Sequence, residues 1–347
     1  MAAARPTEPR HLLRVWRALA AVLGLAGAVV TVSPAAPASP AQPLESVTLK
    51  LATWNLEWFL TPATFHALQP DCTRQEGAHR HRPRSIPCDV AASLERSAGD
   101  IAGMARYARA LDADVVALEE VDGVNAARQL FPRHEFCFTG AAAVQNTGFA
   151  IRRGLPFRCG ADLLALSLGD TVRRGATLVL YPDSRRELHL LAVHLKSGCS
   201  RQPLDAPAIP CERLARQAPG LRNWLRAQAA AGHRYALLGD FNRDLLAETR
   251  SAAAGAGTGL WARMASGDDA DPLRNTAPLV NTAEHQPFHN CYTGQTHSGY
   301  IDYILLAPAL AGALVPGSFQ RLTYSAPDAW RLKLSDHCPV AIRLRLD

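Results

Sequence analysis

Short apolar runs alternate with helical patterns along most of this chain. Apolar residues recur at helical spacing over residues 91–111 and 210–231, which predicts a helix in each segment. Extended apolar runs predict strands. These strands cover residues 47–54, 113–121, 148–152, 176–181, 188–195, 235–238, 300–306 and 338–344. Strands with interposed helices, arranged in two halves, predict an α/β (α+β) fold of two packed sheets flanked by helices.

Two segments show neither pattern and are predicted to be long loops. Residues 61–88 are rich in Arg, His and Pro, and residues 251–295 are rich in Ala and Gly before becoming polar. Long loops in compact domains are often functional. The cations around His66 and Arg84 suit either a loop that grips phosphate or a solvated loop closed by a disulfide. Their location favours the solvated loop.

The first 41 residues differ in composition from the rest. Four Arg residues precede an apolar run from residue 18 to about residue 32, and small residues and prolines follow. This order is typical of a secretory signal, and a run of about 15 residues is shorter than the roughly 20 that span a bilayer. We therefore predict a cleaved signal peptide at residues 1–41, one domain over residues 42–347, and a secreted or periplasmic protein without a stable membrane span.

Composition and charge narrow the picture slightly. Hydrophobic residues make up 48% of the 347 residues and charged residues 20%, which is typical of a globular protein and not of a disordered one. Residues 1–41 hold four Arg and one Glu, so their removal lowers the formal charge from +6 to +3. A mildly basic protein is compatible with a polyanionic substrate but does not establish one.

The eight cysteines form no Cys-x-x-Cys pair, which argues against a zinc or iron–sulfur site. An even number of cysteines in an exported chain indicates disulfides, although spacing does not fix their connectivity. We predict the locally close pairs Cys72–Cys88 and Cys199–Cys211. Cys137–Cys159 and Cys291–Cys338 then follow by elimination.

Six segments end or begin apolar strands with polar residues that a buried strand cannot use. They contribute Asn55 and Glu57, Glu119 and Glu120, His194, Asp240 and Asn242, Asp302, and Asp336 and His337. A buried carboxylate is costly unless it is paired or binds a metal. One such segment would be an ordinary turn or helix cap, but six predict that strand ends converge on one site. Oxygen donors without a thiolate suit Mg²⁺ or Mn²⁺, with Ca²⁺ as a third candidate.

The order of these motifs resembles the endonuclease/exonuclease/phosphatase (DNase I-like) superfamily. The matching motifs are Trp54-Asn55, Glu119-Glu120-Val121, His194, Gly239-Asp240-Phe241-Asn242, Ile301-Asp302-Tyr303 and Ser335-Asp336-His337. Each motif alone is weak, but the ordered set is specific, and it extends from about residue 47 to the C-terminus. The resemblance implies a four-layer α/β/β/α sandwich of two mainly antiparallel sheets, with the site at one end of the sheets.

The resemblance also implies ligands for the metal and groups that act on water. Glu120 is the expected principal ligand, with Asn55 assisting and Asp336 close to the metal. Asp240 is expected to position or deprotonate the attacking water, and Asn242 to donate to a phosphate oxygen. Adjacent Glu119 is expected on the other face of its strand, as a surface or structural acid, and Glu57 is open to the same interpretation.

Two histidines complete the expected catalytic set. Asp302 and His337 are expected to form a carboxylate–imidazole pair, and His194 to reach the other side of the phosphate. Arg174 and Asn146 are expected to contact the substrate. The DNases of the superfamily place an acid near Asn146 to support the first histidine, and this chain has none there.

The resemblance implies in-line attack of water on a phosphodiester, with a 5′-phosphate product from DNA. We expect a metal-dependent endonuclease whose partner is nucleic acid, with DNA favoured. A phosphoesterase acting on phospholipid head groups or small phosphodiesters, similar to sphingomyelinases, is the alternative. An inactive binding module is a third hypothesis, but it predicts the loss of a core residue and all are present. The sequence implies no protein partner and sets no oligomeric state.

Overall fold

The computed structural model describes residues 46–74, 84–170, 172–253, 259–265, 279–292 and 299–347. The predicted signal peptide lies outside these residues, so it and the domain boundary at residue 42 remain predictions. Among the residues described, none of the helices combines the length and apolar character that crossing a bilayer demands.

The described strands form two six-stranded sheets. The first sheet has the order β11-β12-β1-β2-β4-β3 and contains β1 (Val47–Phe59), β2 (Val115–Val121), β3 (His134–Phe138), β4 (Asn146–Arg152), β11 (Gln320–Arg321) and β12 (Val340–Leu346). The second has the order β5-β6-β7-β8-β10-β9 and contains β5 (Phe157–Cys159), β6 (Ala176–Leu180), β7 (Leu188–His194), β8 (Tyr235–Asp240), β9 (Val280–Asn281) and β10 (Asp302–Leu306). Only β1–β2 and β7–β8 pair in parallel, so both sheets are mainly antiparallel, as predicted.

Helices cover the outer faces of the sheets. They are α1 (Pro62–Leu68), α2 (Cys88–Ser93), α3 (Ala98–Leu111), α4 (Gly123–Leu130), α5 (Ile209–Ala230), α6 (Leu245–Ala253), α7 (Leu260–Ala265) and α8 (Ala326–Arg331). Three apolar clusters separate the layers: one lies between the sheets, one packs the first sheet against α3 and α4, and one packs the second against α5 and α7. This arrangement confirms the predicted α/β/β/α sandwich.

Three predicted element boundaries are wrong because local capping overrides the apolar pattern. The single helix expected over residues 91–111 is two helices, since Ser97 and Asp100 form a capping box that starts α3. Residues 61–88 are not all loop, because Thr61 caps α1 with Pro62 at its first turn. Likewise residues 251–295 contain the end of α6, all of α7 and β9.

The first predicted loop is partly described. His66 bonds Glu95 at 2.8 Å, and Arg84 pairs with Asp122 at 3.0 Å. These cations therefore have carboxylate partners at the surface. Its remaining His and Arg residues between 75 and 83 lie outside the described part of the chain.

All four predicted disulfides are confirmed. Cys72 bonds Cys88, Cys137 bonds Cys159, Cys199 bonds Cys211, and Cys291 bonds Cys338. None of the eight cysteines is free. Complete pairing indicates that the chain folds in an oxidising environment.

Candidate active site

The site lies at one end of the core between the two sheets. Side chains alternate between the two faces of a strand. In β1, Leu49 and Leu51 face the second sheet, and the same face continues to Thr53 and Asn55. The same alternation places four further polar residues inward at strand ends: Glu119, His194, Asp240 and Asp302. The apolar pattern of each strand thus aims its last polar residue into one common space.

Bulges turn β1 and β2 where they reach the site. The register of β1 on β2 shifts after Asn55, and that of β2 on β4 shifts after Leu118. Glu57, Trp58 and Glu120 have φ of 48°, 47° and 59°, which is uncommon for residues with a Cβ. Such bulges re-aim a side chain at the end of a sheet. Here Trp58 N donates to Glu120 Oε2 at 3.1 Å, which fixes the Glu120 carboxylate toward the site.

His337 and Asp302 lie together as a carboxylate–imidazole pair. His337 Nδ1 is 3.0 and 2.9 Å from the two Asp302 carboxylate oxygens, and His337 Nε2 is 3.9 Å from Asp240 Oδ2. Burial alone would lower the pKa of His337, but the charges of Asp302 and Asp240 outweigh it and hold that pKa well above its usual value. The ring is therefore charged at neutral pH.

The backbone around His337 is fixed from two sides. Ser335 Oγ donates to Asn55 O at 2.7 Å and accepts from His337 N at 3.0 Å. Trp54 Nε1 lies 3.1 Å from Tyr324 Oη and 3.2 Å from His337 O, and the Tyr324 hydroxyl also donates to His337 O. The sequence motif contains Trp54 and Ser335, but nothing in the sequence marks Tyr324 as their partner.

His194 is almost fully buried, and its pKa is shifted in the opposite direction from that of His337. Its Nε2 is 3.5 Å from both Glu120 Oε1 and Asp240 Oδ2. Its Nδ1 has no hydrogen-bond partner among the described residues, in keeping with the missing acid before β4. Burial, and then the charge of Arg173, lower the pKa of His194 well below its usual value, so this ring is neutral.

Asp240 lies between the two imidazoles. Its carboxylate accepts from Asn242 N at 2.7 Å, from Asn242 Nδ2 at 2.9 Å and from Asn55 Nδ2 at 3.1 Å. Burial raises the pKa of Asp240 to about 7; His337 opposes this shift and Asp302 adds to it. A carboxylate with this pKa can accept a proton near neutral pH.

The donors at this site fit a hard divalent cation. The Glu120 and Asp240 carboxylates converge with the Asn55 amide, which lies 3.4 Å from Glu120 Oε1. Burial, and then repulsion from Asp336, raise the pKa of Glu57 to about 7 as well. These shifts show that the buried carboxylates lack enough positive charge to hold their ordinary pKa values. Carboxylate and amide oxygens suit Mg²⁺ or Mn²⁺, although the identity of the ion and of its ligands remains a prediction.

A buried arginine that the sequence did not reveal connects β1 to the segment before Asp336. Arg96 donates to Glu57 O at 2.7 Å, to Leu334 O at 3.3 Å and to Lys333 O at 3.0 Å, and pairs with Glu57 Oε2 at 3.4 Å. Glu57 Oε2 in turn accepts from Asp336 N at 3.1 Å. Arg96 precedes the cap of α3, and its only sequence signal is that position. Asp336 itself is partly exposed at the rim of the site.

Glu119 is not a surface acid. It is fully buried between the sheets, accepts from Thr53 Oγ1 at 3.1 Å, and has one carboxylate oxygen without a partner among the described residues. Burial first, then the charges of Asp302 and Asp240, raise the pKa of Glu119 well above its usual value. The part of the prediction that placed it at the surface is wrong, because the inward face of β2 continues to this residue.

In the described part of the chain, neither expected substrate contact hydrogen-bonds to this network. Arg174 forms ion pairs with Asp170 at 2.9 Å and with Asp162 at 3.1 Å. Asn146 donates to Ala143 O at 2.7 Å, and its buried Oδ1 has no partner among the described residues. Their roles in substrate binding remain predictions.

The neighbouring arginine, not Arg174, approaches the imidazole site. Arg173 Nη2 donates to Leu195 O at 2.8 Å, beside His194, and its charge affects the pKa of that ring. The sequence contains no signal that distinguishes Arg173 from the adjacent Arg174.

Comparison with known proteins agrees with this geometry. The model of the Endonuclease/Exonuclease/phosphatase family matches residues 52–337, a range that contains every strand-end residue described above. None of the curated protein sequences matches the chain significantly.

Solved structures with related folds share little sequence with the chain. Truncated TDP2 from Caenorhabditis elegans is 12% identical with a TM-score of 0.50, over 86% of this chain and 97% of that one. The human Nocturnin catalytic domain with bound sulfate is 13% identical with a TM-score of 0.49, over 86% and 94%. A mannosyl-6-phosphatase of Bacteroides thetaiotaomicron is 13% identical with a TM-score of 0.49, over 85% and 98%. Of these three, only TDP2 reaches a TM-score of 0.50, and at 12% identity this similarity supports the fold alone.

Proposed function

Because the chain belongs to the endonuclease/exonuclease/phosphatase family, whose members are hydrolases of phosphoesters that generally use divalent metal ions, we propose that it hydrolyses phosphodiesters with water. The observation that carries this proposal is the position of Asp240. Its carboxylate lies 3.5 Å from the Nε2 of neutral His194 and 3.9 Å from the Nε2 of charged His337. A base between a neutral and a charged imidazole suits attack on one side of a phosphate and departure on the other.

Each residue then has a distinct task. Asp240 orients the attacking water and accepts its proton, and Asn242 holds the Asp240 carboxylate through its N and Nδ2. Donation from Asn242 Nδ2 to a phosphate oxygen would replace its hydrogen bond to Leu195 O. His337, kept charged by Asp302, stabilises the phosphate and supplies a proton to the leaving oxygen. His194 is neutral and orients the substrate through Nε2. Glu120 and Asn55 would hold a divalent cation, which would supply Lewis-acid stabilisation of the growing negative charge.

DNA is the substrate we propose, cleaved internally outside the cytoplasm. The formal charge of +3 expected after removal of residues 1–41 is compatible with a polyanion. The four disulfides are in keeping with export, and the predicted signal peptide supports it.

Hydrolysis by the oxidised protein tests both the chemistry and the substrate. Supercoiled plasmid, single-stranded DNA, RNA and sphingomyelin are each offered with Mg²⁺ or Mn²⁺ and then with chelator. The His337→Ala variant is assayed beside the wild type under each condition. We expect plasmid nicking that needs the metal and falls by about 10²–10⁴-fold in the variant.

Other outcomes would contradict the proposed substrate, the proposed residue roles or the proposed chemistry. Turnover of sphingomyelin with intact nucleic acid would keep the chemistry and move the substrate to the membrane. Retention of full activity in His337→Ala would refute the assigned roles. Absence of turnover with every substrate and either metal would refute phosphodiester hydrolysis and favour a binding module.

A further inference from the structure

A second group of possible metal ligands lies at the opposite end of the second sheet. Glu187 and His189 flank the first residue of β7, and His233 lies in the turn between α5 and β8. The parallel pairing of β7 with β8 aligns His189 with Tyr235, and His189 N donates to Arg234 O at 2.9 Å. His194 ends β7 five residues further on, so the group lies roughly 17 Å along the strand from the active site.

The side chains of Glu187, His189 and His233 lie close together and form a group separate from the active-site residues. Glu187 Oε1 is 2.8 Å from His189 Nε2, and the rings of His189 and His233 stack with centroids 3.9 Å apart. One ligand atom of each residue lies within 4.8 Å of the other two. All three are partly buried, so they are held in place yet accessible from solvent.

Hydrogen bonds from neighbouring residues orient His233 and Glu187 for metal binding. Gln228 Oε1 lies 2.9 Å from His233 Nδ1. An amide oxygen only accepts, so His233 Nδ1 carries the proton and its Nε2 presents a lone pair. The Asp183 amide donates to Glu187 Oε2 at 2.6 Å and leaves Oε1 for a ligand. Burial, and then the proximity of His189, lower the pKa of His233, which keeps it in the neutral form that binds metal.

We propose that Glu187, His189 and His233 bind a Zn²⁺ ion that joins the start of β7 to the α5–β8 turn. Two imidazoles and one carboxylate, with the fourth position open to water, are a donor set that Zn²⁺ prefers. This site has two imidazoles and one carboxylate, whereas carboxylates outnumber imidazoles at the active site, where Mg²⁺ or Mn²⁺ is favoured. Binding would displace the hydrogen-bonded proton between His189 Nε2 and Glu187 Oε1 to solvent, and both imidazoles would offer Nε2 to the ion.

A simple surface ion pair is the competing explanation, and the chain offers a matched control for it. His66 and Glu95 also lie 2.8 Å apart, but among the residues that the structure describes no second imidazole joins them. If a His–Glu pair alone bound zinc, both pairs would do so equally. The proposal requires that only the pair with His233 binds.

Calorimetric titration of the full oxidised chain with zinc chloride tests the proposal. The background variant Glu120→Gln removes the principal expected ligand of the active site. Loss of binding on adding His233→Ala then distinguishes zinc at the proposed site from zinc held by the remaining group of Asp240, Asp302 and His337. We expect one Zn²⁺ per chain in this background, with the same stoichiometry after addition of His66→Ala. Adding Gln228→Ala should weaken binding by about 10–100-fold, and adding His189→Ala or His233→Ala should weaken it further.

Thermal unfolding provides the second measurement. Zinc should raise the Tm of the Glu120→Gln protein, EDTA should reverse this, and neither should act when His233→Ala is added. In the wild-type background, His233→Ala should leave phosphodiester hydrolysis unchanged, so the result is independent of the proposed function. Zinc binding that survives both His189→Ala and His233→Ala, or no zinc binding by folded Glu120→Gln protein, would overturn the proposal.

Discussion

At the scale of single residues, the site is defined by groups whose charge differs from that in water. His337 is charged because the negative charges of Asp302 and Asp240 outweigh its burial. His194 is neutral because burial and the positive charge of Arg173 both lower its pKa. Asp240 is an acid that titrates near neutral pH. Perturbed groups of opposite tendency in one cleft are typical of acid–base catalysis.

The Asp240→Asn variant should be more stable than wild type at high pH when metal is absent. The folded pKa of Asp240 is about 7, above its ordinary 3.8. Between these values the folded protein holds a proton that the unfolded chain releases, so this residue's contribution to stability falls as pH rises from about 4 to 7. Thermal unfolding in EDTA at pH 4, 6 and 8 should show a Tm difference, variant minus wild type, that grows with pH. A constant difference would contradict the raised pKa.

Asp302→Asn should shift the pH profile of hydrolysis as well as its rate. Without the carboxylate, burial dominates and the pKa of His337 falls. Because His337 acts in its charged form, the alkaline limit of activity should move to lower pH, and kcat at pH 8 should fall by about 10²-fold or more. Glu187→Gln alters another His–carboxylate pair and should leave the pH profile of hydrolysis unchanged. An unchanged alkaline limit in Asp302→Asn would exclude His337 as the proton donor.

At the scale of elements, strand ends and their connections set the precision of the site. The bulges in β1 and β2 aim Glu57 and Glu120, and β8 approaches β7 so closely that only glycine fits before Asp240. Disulfides then hold the segments that follow the two imidazoles. Cys199–Cys211 lies beyond β7, and Cys338 directly follows His337.

Gly239→Ala should disrupt both the sheet and the site. Gly239 has φ of 140°, and a Cβ there would lie 2.0 Å from Val193 O in the neighbouring strand. Backbone cannot yield as a flexible side chain does, so we expect a loss of at least about 3 kcal/mol in the free energy of unfolding. Gly317→Ala is the control, because it has φ of 67° with open space around it, and it should cost only about 1–2 kcal/mol. Similar losses in urea denaturation would refute the steric argument.

Removal of the Cys291–Cys338 disulfide should impair catalysis more than removal of Cys72–Cys88. Both double Ser variants should lose about 2–5 kcal/mol of stability. The first also frees the segment after His337, whose position depends on Tyr324, and Tyr324 N bonds Cys291 O at 2.8 Å. A displacement of about 1 Å there should cost roughly 10²-fold in kcat. Assays below the unfolding range of both variants should show this difference, and equal activities would contradict it.

At the scale of the whole molecule, the apolar pattern predicted more than the polar contacts. Strand positions such as Leu118 and Leu238 follow from hydrophobic runs, and the layers follow from their order. The polar residues at strand ends predicted that a site exists. The pattern did not predict Arg96 or Tyr324, because their contacts join segments more than 200 residues apart and depend on packing. The prediction for Glu119 was wrong because strict alternation was expected to separate it from Glu120. The alternation of β2 places Glu119 inward, and the bulge after Leu118 lets Glu120 reach the same site.

Metal binding should couple the site to the stability of the whole fold in a pH-dependent way. Asp240 and Glu57 hold protons up to about pH 7, and a cation must compete with those protons. Mg²⁺ at 100 times its Kd should add about 2.7 kcal/mol to the free energy of unfolding. We expect the rise in Tm with Mg²⁺ to be larger at pH 8 than at pH 5 at one Mg²⁺ concentration, and to vanish in Glu120→Gln. An equal rise at both pH values would mean that the cation binds where no titrating carboxylate contributes, which would separate the metal from the Asp240 centre.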